Sequence, residues 1–145
     1  MLSWLATGLI KWNYSLTRLS QRVNLTRDDA VDLAQVRAVR DAAEPIGLLT
    51  RRSAIYRALQ DYHERALRAA LTVADQPAAL RNLALHLNEL RDIKPVIDGH
   101  RLQQLGLSPG PELGRLLEQL HDAWLDGEIA TPQQADEYAR QVAAR

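Results

Sequence analysis

The chain of 145 residues is 46% apolar and 25% charged, contains no cysteine, and balances 18 basic against 18 acidic side chains. That length is enough to bury a real core, either in one compact domain or in two small helical subdomains. The absence of cysteine excludes disulfides and thiolate zinc sites, and the zero net charge excludes the overall basicity of a stand-alone nucleic-acid binder.

Residues 1–23 read as an amphipathic helix, with Leu2, Leu5, Leu9, Trp12, Leu16, Leu19 and Val23 three or four positions apart. The stretch is too short to span a bilayer and is interrupted by Lys11 and Asn13, so no membrane is expected as a partner. Its apolar face is expected to pack on something, including a second copy of the chain in a homodimer through Met1–Val23. Thr26 then caps a helix with Asp28 and Asp29 in its first turn, running through Val31, Leu33, Ala34 and Val39 to about Ala43. Pro45 and Gly47 are expected to break it. From Ser53 to Ala74, the stripe Ile55, Leu59, Tyr62, Ala66, Leu67 and Ala70 predicts a third helix with room for a kink.

Asp75 is expected to cap a fourth helix, with Pro77 in its first turn and Leu80, Leu83, Leu87 and Leu90 as its buried stripe. After Pro95 a short helix enters the Gly/Pro turn Leu105-Gly106-Leu107-Ser108-Pro109-Gly110-Pro111 and a longer amphipathic helix leaves it, a helix-hairpin-helix arrangement within 97–129. The final helix starts from Thr131-Pro132-Gln133-Gln134, a capping box with Pro at the first helical position. No run keeps a strand period, and the expectation is an all-α fold: an elongated helical stack with residues 1–75 as a helical body and 76–145 as a helical tail. Softer signs of a boundary lie at Asp75–Pro77 and Lys94–Asp98.

The turn at Gly106–Pro111 carries the most specific chemistry. Backbone N–H groups at a helix start lack intrahelical partners and sit at the positive end of the dipole, a place suited to a phosphate of a nucleic-acid backbone. Gly106, Ser108 and Gly110 are the candidate contacts, with Arg101 or Arg115 adding charge; the bland reading is a tight turn that packs two helices. Such donors see phosphate and not base edges, so no sequence readout is expected there. Sixteen of the basic residues are Arg and two are Lys, and residues 1–72 carry a charge of +4 against −4 for the remainder. Arg51 and Arg52 open a helix with Arg57 on nearly the same face, where cations oppose the dipole, so they are candidates for an RNA-facing patch beside the alternative of a solvated helix end. Arg65 and Arg68 extend it, although Glu64 and Arg68 form an ordinary i,i+4 pair.

Glu118-x-x-His121 and His86-x-x-Glu89 have the spacing of bundle metal sites, but no further inward carboxylate accompanies them. His86 and His121 therefore read as polar-edge residues and no metal is expected. Asp126-Gly127-Glu128 reads as a helix C-terminal turn with Gly127 left-handed rather than as a metal site. Trp124 and Tyr138 read as packing anchors between the last two helices.

The run Val96–Gly114 resembles the C-terminal part of bacterial tRNA nucleotidyltransferase/poly(A) polymerase proteins, the class II nucleotidyltransferases that include CCA-adding enzymes. Gly99, Leu102, Leu105, Gly106, Pro109, Gly110, Pro111, Gly114 and Leu117 match the family pattern in order. The stretch Ala123-Trp124-Leu125-Asp126-Gly127-Glu128-Ile129 is similar to its continuation, and Ser53–Leu59 to an upstream helix. Many relatives carry Asp where this chain has His100, so no role is carried to His100. The resemblance implies a cytoplasmic, RNA-binding body and tail that grips the tRNA elbow. It acts as a ruler for an N-terminal head and neck that hold Mg²⁺ and the nucleoside triphosphate and add nucleotides to the 3′ end. The head's phosphate turn and strand-borne carboxylates, and the neck's nucleotide-selecting Asp and Arg, are not recognisable here. The chain alone is expected to be inactive and to hold no cofactor. A helical protein-interaction module with no RNA role is the alternative.

Overall fold

The computed structural model describes residues 26–143, and all the regular structure among them is helical. The amphipathic segment expected over residues 1–23, with its proposed dimer contact, lies outside the described residues. Thr26 begins α1 (Arg27–Asp41) with a full capping box: its Oγ1 accepts from the Asp29 N–H at 3.2 Å, and its own N–H donates to Asp29 Oδ2 at 3.0 Å. Of the apolar positions expected to face inward on α1, Val39 is buried, whereas Val31 and Leu33 are exposed. Asp32 and Gln35 take the neighbouring inward positions and bond to His63 instead.

Pro45 and Gly47 do not end the helical path. Ala42 alone separates α1 from α2 (Ala43–Leu48), and Pro45 falls in the first turn of α2, where its missing N–H removes no bond. Gly47 serves a close approach: a Cβ there would stand 3.1 Å from Ala78 Cβ and 3.2 Å from the Ala79 backbone nitrogen. Asn82 Nδ2 then donates to the carbonyls of Ile46 and Leu49 at 2.8 and 2.9 Å, satisfying the open end of α2.

The helix expected over 53–74 is two helices, α3 (Arg52–Leu59) and α4 (Glu64–Val73). The break at 60–63 is fastened from α1: the His63 N–H donates to Gln35 Oε1 at 2.7 Å, and its Nδ1 lies 2.8 Å from Asp32 Oδ1. Pro77 opens α5 (Pro77–Leu85), but Gln76 and not Asp75 holds the cap position, without a side-chain bond. The path continues through a π-helical turn, His86–Leu90, closed by the Arg91 N–H donating to the His86 carbonyl at 2.9 Å.

Asp98 caps α6 (Gly99–Gln104), which ends in a Schellman closure: Leu107 N–H donates to the Leu102 carbonyl, Gly106 N–H donates to that of Gln103, and Gly106 has φ +96°. Gly110 and Pro111 open α7 (Pro111–Leu125), which closes the same way, with Glu128 N–H to Ala123, Gly127 N–H to Trp124 and Gly127 at φ +76°. The last helix, α8 (Pro132–Ala143), starts from the expected box. Thr131 Oγ1 accepts from Gln134 N–H, and Gln134 Oε1 accepts from Thr131 N–H.

Two apolar cores result. The first joins Val39, Ile46, Ile55, Leu59, Leu67, Leu83 and Leu90 from α1 to the π turn, and it includes Leu125 from the far end of α7. The second joins Ile97, Leu102, Leu116, Leu120, Ile129, Ala135 and Ala139, with Trp124 and Tyr138 packed against it. Because α5 contributes Ala79 and Leu83 to the first core, the cores change over between Leu90 and Ile97. No helix of the described residues is long and apolar enough to cross a membrane.

Candidate nucleic-acid interface

The sequence-derived site residues fall into three places. Gly106, Ser108 and Gly110 form the exposed turn between α6 and α7, and Arg115 is exposed in the second turn of α7 with no ion pair to any described residue. Gly110, at the N-cap of α7, has no side chain to bond the first N–H groups of the helix. Glu112 stands exposed in the same first turn. A Cβ added at Gly110 or Gly114 would meet nothing within 4 Å, and Gly110 has ordinary extended backbone at φ 163°. Neither packing nor backbone conformation requires glycine at 110 or 114, and in a helix Gly114 is about 1 kcal/mol worse than Ala.

Arg51, Arg52 and Arg57 occupy a second place, the face of α3 that meets α7 and the π turn, and each is held by a carboxylate. Arg51 bonds Asp126 and Glu128 at 2.8 and 2.6 Å, and Arg52 bonds Glu89 at 3.1 Å. Arg57 forks onto Asp122 with Nε to Oδ1 at 2.9 Å and Nη2 to Oδ2 at 2.6 Å. The order of these pairs makes α3 and α7 antiparallel. They also supply the structural reason for cations at the start of α3. Asp126 reaches that helix end as a carboxylate from elsewhere in the chain, accepting from Ser53 N–H at 2.9 Å and from Ser53 Oγ at 2.6 Å. It neutralises both the dipole and Arg51. Burial raises the pKa of Asp126, but the bonds from Ser53 and Arg51 outweigh it and hold the carboxyl below its usual range.

Arg101 is in a third place, a cleft of about 520 Å³ between Pro95–Asp98 and the start of α8, where Asp136 holds its guanidinium. The bond from Arg101 keeps the Asp136 carboxyl below its ordinary value. The turn and the α3 arginines are not adjacent: Gly110 and Asp126 stand at opposite ends of α7, about 24 Å apart at 1.5 Å per residue. Arg65 meets Asp29 and Asp32, while Arg68 pairs with Glu64 at 2.7 Å along its own helix.

His86 is not a polar-edge residue, whereas His121 stays at the edge, half-buried beside a cleft lined by Tyr56, Glu118 and Asp122. His86 is 1% exposed, and its ring centroid lies 5.8 Å from that of Tyr56. His121 packs its ring in a T-shaped contact with that of Tyr56, their centroids 5.0 Å apart. Glu89 and Glu118 are exposed, Glu89 on Arg52 and Glu118 at 4.0 Å from Arg57, so the two spaced motifs do not converge. No group of three side chains able to hold a metal is assembled among the described residues. Helical spacing around each histidine carries the signal of this placement, since His86 and His121 directly precede or follow the Leu83–Leu87–Leu90 and Leu116–Leu120 stripes.

Comparison of the chain with protein-family models, with curated proteins and with solved structures finds no match.

Proposed function

We propose that the chain is the RNA-binding C-terminal portion of a cytoplasmic tRNA nucleotidyltransferase or poly(A) polymerase. In this reading the α6–α7 turn is a helix-hairpin-helix element that holds the tRNA elbow by phosphate and shape. A catalytic head and neck outside these residues then meet a 3′ terminus at a fixed distance. Binding energy remote from the reacting atoms positions the chemistry. The observation that carries the reading is the pair of exposed glycines at 110 and 114, which the fold does not require. Glycine beside the start of a helix lets a phosphate backbone approach the N–H groups closely. Arg115 is the flanking cation, with Arg51, Arg52, Arg57 and Arg101 available only on exchange of carboxylate for phosphate.

The test is titration of the full chain into labelled full-length tRNA and into an unstructured RNA of equal length, at about 50 and 200 mM salt. With two phosphates engaged, affinity falls roughly tenfold across that range. Preference for folded tRNA, lost in Gly110→Val/Arg115→Ala, is the expected result. Equal binding of both RNAs, or an unaffected variant, overturns it.

A second reading, a helical protein-interaction module with no RNA role, is favoured by one observation. The α3 arginines are neutralised within the fold, while Leu48 and Val73 are 75% and 52% exposed. Salt-insensitive association with a protein and no RNA binding would select it.

A further inference from the structure

A buried imidazole without a partner requires an explanation, because each ring nitrogen loses its bond to water on burial. Nδ1 of His86 and both ring nitrogens of His121 are enclosed and have no hydrogen-bond partner among the described residues. The two rings come from different parts of the chain and both contact the ring of Tyr56. His86 belongs to the π turn of the first core, His121 to α7, and Tyr56 to α3 between them. The cluster therefore sits where α7 is applied to the first core, beside the Arg57–Asp122 fork and one helical turn before Leu125.

We infer that Tyr56, His86 and His121 form a proton-sensitive latch between α7 and the first core, closed while both imidazoles are neutral and released when either takes up a proton. Neutral rings pack as aromatic surface against Tyr56. A protonated ring in the same place carries a charge and an enclosed donor with no acceptor beside it, so it is stabilised only by closer contact with water, which the packing of α7 on α3 opposes.

The charged groups that act on the rings are Arg91 at His86, and Arg57 and Asp122 at His121, with Glu118 lining the cleft beside His121; on the neighbouring elements Glu89 pairs with Arg52 and Glu64 with Arg91. Arg91 opposes a charge on His86, and Glu64, the carboxylate nearest Arg91, is 3.7 Å from it and shared with Arg68. Asp122 favours a charge on His121, but it is already forked by Arg57, which opposes one. Burial is the largest influence on both rings and lowers both pKa values. The closed form thus loses stability as pH falls below the ordinary histidine value of about 6.5, and continues to lose it until each ring's lower value is reached.

The experiment is a pH titration of the full chain with labelled histidine, read by imidazole carbon shifts together with amide hydrogen exchange in α3 and α7. After correction for the intrinsic pH dependence, exchange at 52–59 and 118–125 is expected to rise about tenfold per pH unit for each ring below about pH 6.5. Both rings should keep neutral shifts to lower pH than a free histidine. The double variant His86→Phe/His121→Phe should abolish the step. Should it fail to fold, His86→Gln and His121→Gln singly each remove one ring's share. Rings that titrate at the ordinary value, exchange that stays flat, or a step that survives in the non-titrating variants would each overturn the latch.

Discussion

The carboxylate of Asp126 closes the start of a helix that lies 73 residues earlier in the chain, accepting both the backbone N–H and the hydroxyl of Ser53. The side chain of Asp126 is 8% exposed and Ser53 is 6% exposed, so truncation leaves two enclosed donors without an acceptor. Asp126→Ala is expected to destabilise the fold by about 1–3 kcal/mol. Asp126→Asn, which keeps one acceptor oxygen, should be milder. Denaturant midpoints at constant m-value check the order.

The same carboxylate sets an acid limit distinct from that of the histidines. Its folded-state pKa is lowered, so its contribution is complete above the unfolded carboxylate value of about 3.9 and is lost as pH falls through the lower folded value. The stability gap between the parent chain and Asp126→Asn should stay constant from pH 7 to about 4 and close only below that. A gap that closes near pH 6 would contradict the assignment.

Four glycines divide into two kinds. Gly106 and Gly127 have φ of +96° and +76°, so alanine at either is expected to lose about 1 kcal/mol in thermal or denaturant unfolding. At Gly114 alanine has open space and a helical backbone, and is expected to gain up to about 1 kcal/mol. If tRNA affinity falls in Gly110→Val while stability does not, the turn acts on RNA and not on the fold.

Gly47→Ala sets a gain in helix propensity of about 1 kcal/mol against a close contact. The new Cβ meets Ala78 Cβ at 3.1 Å and the Ala79 backbone nitrogen at 3.2 Å, and backbone does not move aside. A net loss of about 1–2 kcal/mol is expected, with α2 and α5 showing the largest rise in hydrogen exchange.

What was legible in the sequence had its cause within a few residues. Thr26 with Asp29, Thr131 with Gln134, and Gly127 in the left-handed region each satisfy orphan groups of their own helix end, and Pro111 presents no N–H to satisfy, so spacing alone reveals them. Room for a kink in 53–74 was legible, but not a full break at 60–63, because that break is fastened by Gln35 and Asp32, which lie 28 and 31 residues away. Nor were the carboxylate partners of Arg51 and Arg57, supplied by α7 and the turn that closes it from 65 to 77 residues downstream. Val31 and Leu33 show the converse: apolar residues at helical spacing that α1 leaves exposed, since polar Asp32 and Gln35 take the inward positions toward His63. The burial of His86 follows from the neighbouring leucine stripe, but the meeting of His86 and the half-buried His121 at Tyr56 is a tertiary fact that no local pattern encodes.

Leu113, Leu116 and Leu120 root one end of α7 in the second core, while Leu125 roots the other in the first. A straight fifteen-residue helix is about 22 Å long and resists bending, so it behaves as a beam with both ends built in. Because Leu113 ties the Gly110 end to the second core, a load taken at Gly110 passes into that core and along α7 toward Leu125 in the first. Whatever grips the turn at Gly110 therefore bears on the seam between the two cores.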